Sequence, residues 1–134
     1  MPLIDVIVPA FNEESAVGKV VRDIPRALVR DVVVCDNNST DATAAEARRA
    51  GATVVEQPMR GYGNACLKGI EFLCGKTEKP DIVVFLDGDY SDRPEELPAV
   101  VAPIVEGRAD LVIGSRTLGN SEKGSLQPQQ VFGN

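Results

Sequence analysis

Short apolar runs alternate with stretches of helical spacing along most of this chain. Leu3 to Val8 is an apolar run that predicts a strand closed by Pro9. Val17, Val20, Val21, Ile24 and Leu28 then recur three or four residues apart, the spacing of one helix face. Pro25 should kink or end that helix, because it lacks the N–H the ladder needs. Asp31 to Cys35 predicts a second strand that ends at Asp36. An alanine-rich helix follows over Ala42 to Ala50, with cap residues in Ser39-Thr40-Asp41 and a stop at Gly51. Ala52 to Val55 is a short third strand, and Tyr62 to Cys74 a third helix stopped by Gly75. Asp81 to Leu86 is the fourth strand. Asp92-Arg93-Pro94-Glu95 has the form of a capping box with proline in the first turn, opening a helix that Pro103 interrupts. Ala109 to Ile113 is the fifth strand.

Strands apolar on both faces, alternating with helices, predict an α/β fold. The expected architecture is a Rossmann-like, mostly parallel sheet with helices on both faces. From Thr117 to Asn134 the chain turns polar and rich in Gly and Gln, with no clear period. The rhythm therefore divides the chain into a folded unit over 1–116 and a different region over 117–134. A doubly wound domain usually closes with a helix after its last strand, so the expectation is that this chain is the front part of a longer protein.

Composition removes several classes. The 134 residues allow one domain with a real core. A net charge of −6 with no basic block argues against a nucleic-acid surface. No histidine is present, which removes Ser-His triads and His-ligated zinc. Cys35, Cys66 and Cys74 lack metal-ligand spacing and read as small hydrophobes in a reducing compartment. No segment has the build of a signal peptide or a bilayer span. The expected location is the cytoplasm, with membrane association in the intact protein.

The polar residues gather where chemistry is expected. Open α/β sheets bind ligands beyond the carboxyl ends of their strands, near the point where strand order reverses. There the first strand is followed by Pro9-Ala10-Phe11-Asn12-Glu13-Glu14 and the second by Asp36-Asn37-Asn38-Ser39-Thr40-Asp41. The fourth is followed by Asp87-Gly88-Asp89, and the fifth by Gly114-Ser115-Arg116. Side chains alternate along a strand, so Asp87 and Asp89 should lean the same way if the extended chain persists through Gly88. At an effective dielectric near 20, two unit charges about 4 Å apart repel by roughly 4 kcal/mol. A hard divalent cation, Mg2+ or Mn2+, turns that repulsion into binding. The alternative is a polar turn after a core strand, since Asp-Gly is a common turn pair. Asn12 and Glu13 have the alternative of capping the first helix, and Arg116 of pairing with a surface carboxylate.

These segments, in this order and spacing, resemble the family 2 glycosyltransferases. Those enzymes have the GT-A fold and use nucleotide-sugar donors. The pattern is most similar to the branch that makes dolichyl- or polyprenyl-phosphate sugars. The resemblance implies that Pro9, Ala10, Asn12 and Glu13 lie at the nucleotide pocket and that Asp36 accepts a hydrogen bond from the base. It implies that Asp87 sits near the ribose or the metal and that Asp89 holds Mg2+ or Mn2+ on the donor diphosphate. Arg116 would face the phosphates or the acceptor. Arg60, just before Gly61-Tyr62-Gly63, is a further candidate phosphate contact, with a plain turn as the other reading.

The implied partners are a UDP- or GDP-sugar donor and a lipid-phosphate acceptor. Self-association into a homo-oligomer is expected from the edge that an incomplete domain exposes. Polyprenyl-phosphate enzymes usually carry Gln-His-Pro soon after the acidic pair, whereas this chain has Ser91-Asp92-Arg93-Pro94, which leaves a third metal ligand unassigned. An inactive nucleotide-sugar-binding module is the competing function. A phosphoacceptor receiver domain lacks support, because Glu56-Gln57 and Ser115-Arg116 stand where it needs Asp and Lys. A dinucleotide-binding dehydrogenase domain needs a Gly-x-Gly-x-x-Gly turn after the first strand, which is missing.

Overall fold

The computed structural model describes residues 3–90 and 94–99. Strands and helices alternate as β1 (Ile4–Ala10), α1 (Val17–Asp23), β2 (Asp31–Asp36), α2 (Thr43–Arg49), β3 (Thr53–Glu56), α3 (Tyr62–Cys74) and β4 (Ile82–Phe85). A 3-10 turn spans Pro94–Glu96. The strands form a parallel sheet in the order β3-β2-β1-β4. The chain thus steps outward on one side of β1 and then crosses to the other. The order reverses between β1 and β4.

Alternate residues of each strand serve opposite faces. Val6, Val8, Val32, Val34 and Val84 pack beneath α1 and α2, with Val17, Val20, Val21, Ala47 and Leu97 in the same cluster. Ile7, Val33, Cys35 and Phe85 meet Ala65, Cys66 and Leu73 of α3 on the other face. The expected two-sided cover is therefore present. α3 comes unusually close at Gly69, where an added Cβ would stand 2.7 Å from the Ile7 Cγ2 and 2.9 Å from the Cys35 Sγ.

Pro9 does not close β1. The strand continues through Pro9↔Cys35 to Ala10↔Asp36. The reason lies in which way each backbone group points. The Ile7 carbonyl accepts from Leu86 on the β4 side, and the Ala10 carbonyl accepts from Asn37 on the β2 side. By alternation Pro9 faces β4, whose pairing with β1 ends at Ile7↔Phe85. No ladder donor is lost, so proline is tolerated inside a central strand. Pro25 does end the first helix, as α1 stops at Asp23 and Ile24 caps it.

At the opposite end of the sheet, Asp5 is fully buried and held by Arg30, whose Nε donates to Oδ1 at 3.1 Å. The predicted fifth strand, the region 117–134 and Arg116 lie outside the described residues.

Candidate functional site

The crevice at the β1/β4 reversal is a cavity of about 620 Å3. Pro9, Ala10, Phe11 and Glu13 come to it from the end of β1, and Asp87, Gly88 and Asp89 from the end of β4. Asn37 comes from the end of β2, and Arg60, Gly61, Tyr62 and Ala65 from the entry into α3. Of the residues expected at the site, Pro9, Ala10, Glu13, Asp87 and Asp89 are brought together here. Asn12 and Asp36 do not line the cavity, and Arg116 is outside the described residues.

The acidic pair reaches the cavity by a different path from the one expected. The extended chain stops at Phe85, and Gly88 and Asp89 form a turn. Gly88 lies against the end of β1, with its missing Cβ position 3.1 Å from the Ala10 Cβ and 3.3 Å from the Pro9 carbonyl oxygen. Asp87 is half-buried and Asp89 exposed, and both line the cavity. Tyr90 follows with φ +63, a left-handed conformation that is uncommon outside glycine. Its hydroxyl donates to Asp23 of α1, and the Lys19 ammonium sits 4.7 Å from its ring centroid.

Glu13 faces these acids, and its position is fixed by the loop after β2. The Glu13 N–H donates to the Thr43 Oγ1 at 2.8 Å, and the fully buried Thr43 hydroxyl donates in turn to Asp41. Asn12 has φ +51, donates its N–H to the Ser39 Oγ at 2.9 Å and accepts the Thr40 N–H at 2.9 Å. The Glu14 carboxylate accepts the Ala42 N–H at 3.1 Å. The two loops are thus laced over a sequence gap of about 30 residues. Sequence reasoning assigns Ser39 and Asp41 to helix capping; Asp41 does accept the Thr43 N–H at 2.9 Å, but it also takes part in this lacing. Asp36 is nearly buried, and its Oδ1 accepts the Ser39 N–H at 3.2 Å.

The electrostatics match the chemistry of a cation and a polyanion. Burial raises the Glu13 carboxyl above its ordinary pKa, and the charges of Asp89, Asp41 and Asp87 raise it further. A site where carboxylates hinder one another's ionisation attracts a hard divalent cation. Among the described residues, no three His, Cys, Asp or Glu side chains come together as a metal cage. One or two carboxylates completed by phosphate oxygens is, however, the usual way Mg2+ is held beside a nucleotide. Asp87 and Asp89 fit that donor set. Arg60 is the one cation among the described residues that line the cavity. Its guanidinium lies over the Phe11 ring, 3.5 Å from the centroid. That stacking holds the charge at the cavity at modest cost in freedom.

Sequence reasoning gives no role to Phe11, Asn37, Tyr62 or Ala65. Phe11 and Asn37 lie inside motif segments, so their position after a strand was the available signal. Tyr62 and Ala65 are placed by α3, which periodicity locates but cannot orient.

A parallel sheet that reverses strand order at an acidic crevice is common to several α/β families, and comparison with known proteins gives the one this chain belongs to. The profile of glycosyl transferase family 2 matches residues 5–133. The chain belongs to that family, and its fold is GT-A. An uncharacterised protein of Methanocaldococcus jannaschii is 33% identical over 130 residues, covering 96% of this chain and 53% of the relative. A dodecaprenyl-phosphate galacturonate synthase of Rhizobium johnstonii is 30% identical over 125 residues, covering 84% of this chain and 36% of the relative. Glucosyl-3-phosphoglycerate synthase from Mycobacterium tuberculosis, solved with Mn2+, UDP-glucose and phosphoglyceric acid, superposes with a TM-score of 0.68 at 33% identity. That match covers 79% of this chain and 40% of the synthase. The same synthase has also been solved with Mg2+ and UDP. The chain spans about half or less of the length of these relatives.

Proposed function

We propose that this chain is the donor-binding half of an inverting glycosyltransferase that takes a sugar from a UDP- or GDP-sugar. The observation that carries this reading is the set of Glu13, Asp87, Asp89 and Arg60 around one cavity where strand order reverses. The domain division follows: residues 1–116 bind the donor, and residues 117–134 begin the acceptor side. The acceptor is a lipid phosphate of the polyprenyl type, reached at the cytoplasmic membrane face. Support for that acceptor comes from the name of the Rhizobium relative. Among the described residues, no helix is long and apolar enough to cross a membrane.

In this reading Pro9, Ala10 and Glu13 line the nucleotide pocket; Asn12 and Asp36 lie beside lining residues rather than in the lining, and Asp36 accepts a hydrogen bond from the base. Asp89, with Asp87 beside it, holds Mg2+ or Mn2+ against the donor diphosphate. The bound ion supplies neutralisation of the charge that grows on the leaving nucleoside diphosphate. Arg60 adds a second positive contact to the phosphates, and Arg116 serves the phosphates or the acceptor. The anomeric carbon–oxygen bond breaks with its electron pair leaving on the diphosphate. An acceptor oxygen bonds to the opposite face of the sugar, which inverts the configuration. A phosphate acceptor is already ionised, so no side chain need take a proton.

The test is a panel of UDP- and GDP-sugars with polyprenyl phosphate and Mn2+, run on this chain and on a longer protein that contains it. Donor binding by this chain with transfer by the longer protein supports the reading. Binding by both with transfer by neither favours a nucleotide-sugar-binding module without activity.

A further inference from the structure

Between β3 and α3 the chain leaves the sheet: the Gln57 N–H still donates to the Asp36 carbonyl of β2 at 2.9 Å, and residues 58–61 continue beyond the β2–β3 pairing. There the Asn37 side chain takes the place of a ladder. The Asn37 Nδ2 donates to the carbonyl oxygens of Gln57 and Met59, each at 2.9 Å. The Asn37 Oδ1 accepts the Gly61 N–H at 2.9 Å. Its own N–H donates to the Ala10 carbonyl at 2.8 Å, so the same residue is tied to the end of β1. Asn37 is 5% exposed. Both amide hydrogens and the oxygen are engaged, which fixes the orientation of the amide. The segment held in this way carries Arg60, stacked on Phe11 at the cavity.

We infer that Asn37 is a positioning residue: its amide sets the 57–61 segment so that Arg60 stands over the donor's diphosphate. The inference rests on the donor-site reading above. The position needs two donors and one acceptor within a single short side chain. Serine offers one donor and is shorter. Aspartate keeps the shape but turns a carboxylate toward two carbonyl oxygens, exchanging two attractions for two repulsions. Neither residue can hold the segment as the amide does.

The experiment is a double-mutant cycle on the full chain with Asn37→Ser and Arg60→Ala, read as UDP and GDP affinity in Mn2+ by calorimetry. Asn37→Ser introduces no charge, and because Asn37 also lines the cavity, the cycle separates an effect carried by Arg60 from a direct contact with the ligand. Asn37→Ser alone should weaken nucleotide binding about tenfold, the scale of a lost hydrogen bond to a charged group. In the Arg60→Ala background it should weaken binding by less than about twofold, because the group it positions is gone. Equal losses in both backgrounds would overturn the inference and leave Asn37 with a general structural role.

Amide exchange at Gly61 gives a second readout that needs no ligand. Its N–H should lose protection in Asn37→Ser and in Asn37→Asp. Unchanged protection in either variant that folds would overturn the placement of the segment by Asn37. A parent chain that binds neither nucleotide would refute the donor-site reading, while exchange at Gly61 would still decide whether Asn37 holds the segment.

Discussion

Substitution of one glycine tests both the packing and its reach into the site. A Cβ at Gly69 would stand 2.7 Å and 3.0 Å from the Cγ2 and Cδ1 of Ile7 and 2.9 Å from the Cys35 Sγ. Ordinary carbon contacts lie at about 3.5–4.0 Å, so α3 must lift from the sheet by up to about 1 Å. Ile7 and Cys35 are fully buried and have no room to retreat. Overpacking of this kind costs about 1–3 kcal/mol. Alanine in a helix interior returns about 0.8–1 kcal/mol relative to glycine. Three contacts at or below 3.0 Å put the overpacking cost in the upper part of its range, about 2–3 kcal/mol, so Gly69→Ala should destabilise the chain by about 1–2 kcal/mol net. Gly63 is the internal control, because it lies in the same helix and a Cβ there meets nothing within 4 Å. Gly63→Ala should be neutral or stabilising by up to about 1 kcal/mol. Urea midpoints at constant m separate the two variants. The lift should also reach the cavity, because α3 carries Tyr62 and Ala65 into its wall, and Gly69→Ala should bind nucleotide more weakly. A Gly69→Ala chain as stable as the parent, or a Gly63→Ala chain equally damaged, would refute the reasoning.

Thr43→Val should cost about 1–3 kcal/mol in urea unfolding, since it strips the acceptor from the Glu13 N–H and one of its donors from Asp41, and Thr43→Ser should recover most of that. At pH 8 a thiol reagent followed by mass spectrometry should label Cys74, which is exposed, and spare Cys35, whose thiol is pushed up to about 12 chiefly by burial. Cys66, also buried and raised by burial, should be spared as well. Because the Glu13 pKa is raised in the folded chain, its ionisation lowers stability as pH rises through the unfolded value and on through the folded one. Glu13→Gln should therefore be more stable than the parent at pH 7 without metal, and the gap should close below the ordinary carboxylate range in urea melts across pH.

The four described strands and α3 are legible because their signals are local. Tyr62 to Cys74 is bounded by a glycine on each side, and the helix has those limits. Pro9 misleads because its effect depends on which neighbour its missing N–H faces, and that is a property of strand order. The acidic pair was legible as chemistry, whereas its turn was not, because only the close approach of Gly88 to Ala10 shows how the chain bends. Asn12 and Asp41 read as local caps from sequence, but their bonds join loops distant along the chain. No local pattern distinguishes a side chain that closes its own turn from one that closes another. Asn37 is the clearest case, since its side-chain partners lie 20 to 24 positions away.

The central claim is that Asp89 holds a divalent ion against a nucleoside diphosphate at the carboxyl edge of the sheet. Calorimetry of UDP and GDP with the parent chain and with Asp89→Asn, each in Mn2+ and in chelator, tests it most directly. The account predicts binding by the parent in Mn2+ that is lost in chelator, and loss of both the metal dependence and most of the affinity in Asp89→Asn. Equal binding in chelator, or unchanged binding by Asp89→Asn, would contradict it.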